Sequence, residues 1–204
     1  MRALVLVDLQ YDFCPGGALA VPHGDETIPV AQRLMRKFDC VVATQDWHPA
    51  NHGSFAINHP GGKPYDMSEL GGLPQVLWPA HCVQGTRGAD LHADLDRARI
   101  TQVIRKGTDP DIDSYSGFFD NGHRKATGLA DWLTAHGTDE LFVLGLATDY
   151  CVKFTTLDAR KLGFAVSLVV DGCRGVNLQP DDSAKAIEEM RAAGAHIIES
   201  SAVS

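Results

Sequence analysis

One stretch of the chain decides its fold: residues 140–171, which read ELFVLGLATDYCVKFTTLDARKLGFAVSLVVD. It opens with an apolar run, Glu140 to Leu146, that predicts a buried strand. A helical pattern follows from Asp149 to Leu162, and Gly163 stands where a helix C-cap would. A second β-branched run, Ala165 to Asp171, completes the segment. The stretch therefore predicts two parallel strands joined by a right-handed crossover helix.

The same alternation extends to both sides of this segment. The other apolar or β-branched runs are Ala3 to Asp8, Cys40 to Thr44, Gln102 to Lys106 and His196 to Glu199. The other helical patterns are about Asp25 to Lys37, Thr127 to Ala135 and Asp181 to Ala193. Apolar strands alternating with helices predict an α/β fold, an open and mostly parallel sheet with helices on both faces in three layers. The 204 residues, 44% apolar and 22% charged, predict one globular domain over residues 1–204.

Two long segments, residues 9–24 and residues 46–98, interrupt this alternation. Loops of that length in a compact domain are usually functional, and we interpret the second as a metal-binding loop insertion. In open α/β sheets, ligands bind beyond the carboxyl ends of the strands, where the strand order reverses. The features that fall at predicted strand ends are Asp8, Asp46, Lys106 and the turn from Gly145 to Cys151. The sequence therefore predicts a functional site at this edge of the sheet.

Charge and hydropathy argue against several classes of partner. The net charge is -8 and no segment concentrates Lys and Arg, so nucleic acid is not an expected partner. The first apolar run is interrupted at Asp8, too soon for a signal peptide or a membrane span. We therefore expect a cytoplasmic protein that does not bind membranes. A homo-oligomer is possible, since enzymes of this size commonly form one.

Cys151 is the candidate nucleophile among five cysteines that include no CxxC pair. It follows a strand end and a turn of small residues. With Thr148 or Asp149 as the N-cap, its thiol would lie in the first helical turn, where unpaired N–H groups and the helix dipole favour a thiolate. The same N–H groups could stabilise an oxyanion. The alternative is a buried structural cysteine whose ionisation Asp149 opposes.

Asp8 and Lys106 complete a possible catalytic set with this thiol. Taken alone, Asp8 could cap the next loop and Lys106 could be a solvated surface lysine. Together, a carboxylate could take the thiol proton and return it to a leaving amine, while a cation holds the carboxylate ionised.

A third group of side chains has the composition of a metal site. Asp46 and His48 follow a strand as Asp-Trp-His, His52 comes shortly after, and His81 lies in Trp-Pro-Ala-His-Cys. Two imidazoles and a carboxylate suit zinc, iron or manganese with open coordination positions, and the ligand types do not choose among these metals. The alternative is a set of surface histidines in a loop.

Aromatic side chains punctuate the same loops, and a flat ring could stack between them. They are Phe13, Trp47, Phe55, Trp78 and Tyr115. For Trp47 and Phe55 we favour the simpler interpretation that they anchor the loops to the body of the protein.

These segments, in this order, resemble the nicotinamidases of the isochorismatase-like cysteine hydrolases. The segments that carry the resemblance are VDLQYDFCPGGALAV at 7–21, TQDWHPANHGSFA at 44–56, WPAHCVQGT at 78–86, KG at 106–107, YSGF at 115–118 and GLATDYCV at 145–152. They span nearly the whole chain, and the metal segments separate nicotinamidases from metal-free members of the superfamily. Tyr11 and Gly172 depart from residues that the family often has, Asn and Ala, but neither is a proposed catalytic group or ligand.

The resemblance implies hydrolysis of nicotinamide to nicotinate and ammonia, a reaction of NAD salvage, and of pyrazinamide as well. It implies a catalytic triad of Asp8, Lys106 and Cys151, and one divalent metal ion, with zinc favoured, on Asp46, His48 and His81. It also implies that Phe13 and Trp78 flank the pyridine ring, whose nitrogen approaches the metal. Finally, it implies a cis peptide between Leu146 and Ala147 and an oxyanion hole formed by the N–H groups of Ala147 and Cys151. Whether His52 or Ser54 joins the metal shell stays open.

Three alternatives remain at the level of sequence. A metallohydrolase could attack an ester or amide with metal-bound water, leaving Cys151 a bystander. A non-catalytic module could bind a metal or small molecule, although such a module would not need the triad. A metal-free relative acting on carbamoyl or vinyl ether substrates is disfavoured by the candidate ligands Asp46, His48 and His81.

Overall fold

Six parallel strands form the central sheet of the computed structural model, which describes residues 1–204. The strands in chain order are β1 Arg2–Val7, β2 Val41–Asp46, β3 Met67–Leu70, β4 Leu73–Val76, β5 Gln102–Lys106, β6 Glu140–Leu146, β7 Ala165–Arg174 and β8 His196–Ile198. The helices are α1 Thr27–Leu34, α2 Leu129–Ala135, α3 Lys153–Lys161 and α4 Asp182–Ala192. Strands β3 and β4 form a separate antiparallel hairpin, and the other six strands make the sheet. The predicted α/β class with a parallel sheet is confirmed.

The strand order across the sheet is β5-β2-β1-β6-β7-β8. From β1 the chain proceeds to one side through β2 and β5, and from β6 it proceeds to the other side through β7 and β8. Right-handed crossovers in opposite directions place α1 on one face and α3 with α4 on the other. The strand order therefore reverses between β1 and β6, which is where such a sheet opens a crevice for ligands.

Residues 140–171 fold as a strand, a helix and a strand, as their sequence predicts, but the helix does not begin as predicted. A π-helical turn, Thr148–Val152, precedes α3, and neither Thr148 nor Asp149 provides a side-chain cap. The expected N-cap is therefore wrong. The Asp149 carboxylate instead accepts hydrogen bonds from the backbone N–H groups of Val176 and Asn177, at 2.9 and 2.8 Å.

The insertion at residues 46–98 contains the β3–β4 hairpin, which the sequence interpretation treated as loop. Its strands have four residues each, are exposed or half-buried at all positions except Gln75, and include Pro74, so their local signal is weak. Gly71 and Gly72 link them with φ values of +60° and +79°. A Gly-Gly pair between two short runs is a hairpin signal that was available in the sequence.

No helix of the chain combines the length and the apolar character that crossing a membrane requires. The cytoplasmic location remains a prediction.

Gly145 allows β1 and β6 to lie close together at the reversal point. It pairs with Val7 and has a φ of +133°. A Cβ at this position would lie 2.1 Å from the Val7 carbonyl oxygen. Only glycine avoids this overlap with the backbone.

We predict that Gly145→Ala lowers the free energy of unfolding by about 3 kcal/mol or more, because the methyl group overlaps backbone and the φ is unfavourable. Gly137→Ala is the matched control, since Gly137 also has a positive φ, +65°, but no atom lies within 4 Å of the added Cβ. That control should lose only about 1 kcal/mol. Urea denaturation of both variants measures the difference, and equal losses would contradict the packing argument.

Candidate active site

Four strands deliver reactive side chains to the same edge of the sheet. Asp8 follows β1, Asp46 ends β2, Lys106 ends β5, and Cys151 lies in the π-helical turn after β6. These strands are neighbours, so their carboxyl ends lie side by side. All four side chains belong to residues that are no more than 6% exposed.

The Lys106 ammonium lies at the centre of this group. Its Nζ is 2.9 Å from Asp8 Oδ2 and 2.5 Å from Asp46 Oδ1. It also donates to the Ser114 carbonyl oxygen at 2.9 Å and lies 3.4 Å from Cys151 Sγ. Burying an ammonium without counter-charges is costly, so the two carboxylates make this position tolerable.

The two carboxylates differ in their affinity for protons. Burial raises the pKa of Asp8 above its ordinary value, and Lys106 opposes this only in part. Burial acts in the same direction on Asp46, but Lys106 and His48 outweigh it and hold the pKa of Asp46 well below its usual range. Asp46 therefore stays ionised and pairs with Lys106, whereas Asp8 is the carboxyl that can take up a proton.

The resting state of Cys151 differs from the thiolate that helix position favours. Burial raises the pKa of the Cys151 thiol well above its ordinary value; Lys106 lowers it, while Asp8 and Asp46 raise it further. The two carboxylates and the sulfur offer atoms that lie within 4.8 Å of one another. Local charge and desolvation thus outweigh the helix dipole, and the thiol keeps its proton until a partner takes it.

The backbone before Cys151 has the cis Leu146–Ala147 peptide that the family resemblance implies. Ala147 and Cys151, whose N–H groups are the candidate oxyanion hole, both line the same cavity as the thiol.

Asp46, His48 and His81 form a second cluster beside the thiol. One ligand atom from each lies within 4.8 Å of the others, and all three residues are buried. His48 Nε2 is 3.6 Å from Asp46 Oδ2, and His81 Nε2 is 3.9 Å from the same oxygen. A carboxylate and two imidazoles at this spacing could hold a divalent ion.

Hydrogen bonds orient both imidazoles for metal binding. His48 Nδ1 donates to the Gly107 carbonyl oxygen at 2.8 Å, and His81 Nδ1 donates to that of Pro79 at 2.8 Å. In the neutral rings, each bond keeps the hydrogen on Nδ1 and leaves the Nε2 lone pair facing Asp46, although Asp46 also raises the pKa of His48. The donor set therefore fits a resident cation.

His52 lies next to this cluster. Its Nδ1 is 2.7 Å from Ser54 Oγ and accepts from the Ser54 backbone N–H, so Nε2 carries the proton. That Nε2 is buried without a protein partner, and the ring lies 4.2 Å from that of His48 between centroids. With its hydrogen on Nε2, this ring has no free lone pair there for a metal ion, and the Ser54 hydroxyl contacts His52.

The thiol and the candidate metal ligands open onto one narrow cavity. Its lining residues are Phe13, Leu19, Asp46, His48, Trp78, His81, Asp113, Tyr115, Ala147, Tyr150, Cys151 and Val176. Eight of the twelve are apolar or aromatic, which suits a small flat ring with a few polar contacts. Phe13, Trp78 and Tyr115 are therefore placed where the sequence analysis expects substrate-binding residues.

Trp47 and Phe55 lie outside the cavity lining. The Arg105 guanidinium lies over the Trp47 ring, 4.0 Å from its centroid. Phe55 is fully buried and packs edge-on against His48 with centroids 5.5 Å apart. Both contacts agree with an anchoring role.

Sequence reasoning missed four residues of the lining: Leu19, Asp113, Tyr150 and Val176. Tyr150 directly precedes Cys151 and packs edge-on against Trp78, with centroids 4.9 Å apart. Asp113 is 3% exposed and lies two residues before Tyr115. Adjacency to a candidate site residue was the available signal for these two, and the sequence offered none for the others.

The protein-family model described as the isochorismatase domain matches residues 2–202 of the chain. A nicotinamidase of Escherichia coli is 61% identical over 198 residues, which cover 95% of this chain and 92% of that protein.

Two solved structures extend the comparison to the fold. A nicotinamidase and pyrazinamidase of Acinetobacter baumannii superposes with a TM-score of 0.95 at 46% identity, covering 98% of this chain and 96% of that one. The pyrazinamidase of Pyrococcus horikoshii in complex with zinc superposes with a TM-score of 0.79 at 41% identity, covering 97% and 98%. The chain therefore belongs to the isochorismatase domain family and, within that family, to the nicotinamidases.

Proposed function

We propose that this protein hydrolyses nicotinamide to nicotinate and ammonia through a thioester on Cys151. The observation that carries the proposal is a single narrow aromatic cavity that holds both the thiol and the Asp46, His48 and His81 cluster. The thiol also lies beside a buried carboxyl and an ammonium, Asp8 and Lys106.

The cavity can orient the substrate before reaction. Phe13 and Trp78 would flank the pyridine ring, and Tyr115 would close the side. A divalent ion on Asp46, His48 and His81 would accept the lone pair of the ring nitrogen and so supply positioning rather than hydroxide. We favour zinc because a zinc-bound relative shares this fold, with iron and manganese as alternatives for the same ligand set. Pyrazinamide, which also carries a carboxamide on a flat nitrogen ring, fits the same description.

In the first half of the reaction, Asp8 takes the proton of Cys151, and the sulfur attacks the amide carbon. The N–H groups of Ala147 and Cys151 would stabilise the negative charge that develops on the amide oxygen. Protonated Asp8 then gives the proton to the amide nitrogen, the carbon–nitrogen bond breaks, and ammonia leaves. Lys106 keeps the buried carboxylate ionised between these steps.

In the second half, water attacks the thioester carbon and Asp8 takes a proton from it. The carbon–sulfur bond breaks, Asp8 returns the proton to the sulfur, and the product leaves as nicotinic acid, which gives its remaining proton to ammonia or water to form nicotinate. Each group ends in its starting state, so one Asp8 carboxyl serves both halves as base and acid.

Two other functions fit the site less well. A metallohydrolase would not need a thiol hydrogen-bonded to a buried lysine. A binding module would have no use for the costly burial of Lys106 between Asp8 and Asp46.

Cys151→Ala is expected to lower kcat by at least about 10⁴-fold, because the covalent route loses its nucleophile. Nicotinamide affinity should change little, since the ring contacts stay. Ammonia release and equilibrium binding measure the two effects. Cys40→Ala is the matched control, a buried cysteine just before β2 and at the opposite end of that strand from Asp46. Substantial turnover by the Cys151 variant would overturn the covalent route.

Chelation is expected to abolish ammonia release and to weaken nicotinamide binding, and added zinc should restore both. The physical reason is that the ion would hold the ring nitrogen, so its loss removes orientation. Iodoacetamide should instead stop turnover while the bound metal stays, which elemental analysis measures. Full activity in a chelated, metal-free sample would rule out this role for the ion.

The pH profile of kcat/KM should show an acid limb set by Asp8. Activity needs Asp8 unprotonated, so activity is lost as pH falls through its pKa. Burial raises that pKa above 3.8, so the limb should lie above pH 3.8. Lys106 lowers the pKa of Asp8. In the activity that remains in Lys106→Met, the acid limb should therefore lie at higher pH than in the wild type, by about 1 unit or more. An unmoved limb would show that another group controls it.

A further inference from the structure

Gln75 is the one buried residue among the eight strand residues of the β3–β4 hairpin. It is 2% exposed, whereas Met67 on the partner strand is 66% exposed. Its side chain points away from solvent toward the cavity wall, although Gln75 does not itself line the cavity. A lone buried amide on an exposed hairpin needs polar partners, because an unpaired buried amide is destabilising.

Its partners are residues that line the cavity. Gln75 Nε2 lies 3.0 Å from Asp113 Oδ2 and 3.0 Å from Tyr115 Oη, and 2.8 Å from the carbonyl oxygen of Val76. Because a carboxylate only accepts hydrogen bonds, Asp113 fixes which end of the Gln75 amide faces it.

The hydrogen bonds continue across the wall. Trp78 Nε1 donates to Tyr115 Oη at 3.2 Å, and the backbone N–H of Ser114 donates to the other oxygen of Asp113 at 2.7 Å. Gln75 therefore connects Asp113 to Tyr115, and Tyr115 in turn accepts a hydrogen bond directly from Trp78. These last three residues lie on the lining of the cavity.

We propose that Gln75 is a positioning residue that sets the wall formed by Asp113, Tyr115 and Trp78, and thereby the affinity for the substrate ring. The inference rests on the proposed function, since it takes the cavity to be where nicotinamide binds. It also assigns a role to the β3–β4 hairpin, which carries this amide into the wall.

Exchanging the hydrogen-bond donor and acceptor between positions 75 and 113 tests the proposal. In Gln75→Glu, a buried carboxyl faces the Asp113 carboxyl, so the two either repel each other or must take up a proton that the wild type does not need. In Asp113→Asn, the new amide keeps its oxygen toward the backbone N–H of Ser114. Its NH₂ group therefore faces the NH₂ group of Gln75, and neither can accept a hydrogen bond from the other. The double variant restores one donor facing one acceptor and keeps the net charge of the wild type. Gln84→Glu is the control, because Gln84 is exposed, its side chain donates only to the Trp47 carbonyl oxygen, and its backbone bond to the His48 carbonyl oxygen stays in the variant.

The experiment is steady-state hydrolysis of nicotinamide by the four proteins and the control, each with its metal content measured. We expect each single variant to raise KM by about 10-fold or more with a smaller change in kcat, as an unpaired buried polar group implies. The double variant should have a lower KM than either single variant, although its carboxylate at position 75 can no longer donate to the Val76 carbonyl oxygen, and the control should not differ from the wild type. Additive losses in the double variant, or single variants that lower only the melting temperature, would overturn the proposal.

Failure of the proposed function is distinguishable from failure of this inference. If the wild type releases no ammonia from nicotinamide, the function fails, and the wall is then followed without substrate by near-ultraviolet circular dichroism. The aromatic signal of Trp78 and Tyr115 should change in both single variants and return in the double variant. An unchanged signal in the single variants would overturn the role of Gln75 by itself.

Discussion

The ion pairs of the Lys106 ammonium with two buried carboxylates are the interaction on which the site depends. One ammonium forms ion pairs with Asp8 on the catalytic side and with Asp46 on the metal side, and it also lies beside the sulfur of Cys151. Removing the Lys106 ammonium would leave two buried carboxylates close to each other without a counter-charge. The nucleophile and the candidate metal ligands are therefore one electrostatic unit, although they come from four strands.

This unit requires a particular strand order. Asp8 and Cys151 come together because β1 and β6 are neighbours in the sheet, although more than a hundred residues separate them along the chain. The close approach of these strands depends on Gly145, whose missing side chain makes room for the Val7 carbonyl. The reversal of strand order between them opens the crevice that the cavity occupies.

Loops supply the remaining walls, and polar contacts hold those loops in place. The Asp12 carboxylate accepts the backbone N–H of Cys82 at 2.7 Å, which ties the loop carrying Phe13 to the segment carrying His81. The Asp149 carboxylate does the same for the loop that carries Val176. An aromatic ring in the cavity would thus meet walls that are preorganised, which lowers the entropic cost of binding.

By itself the sequence determined the alternation of strands and helices, because a sheet covered on both faces requires continuous apolar runs. Strands β5 and β6, for example, begin and end at the residues that the sequence predicts. It also indicated Asp8, Lys106 and Cys151 by their place at strand ends. Only the tertiary structure decided the protonation of the Cys151 thiol, since burial and charge at that point come from other strands. It likewise decided that Gln75 meets Asp113, a contact across 38 residues that leaves no local pattern in the chain.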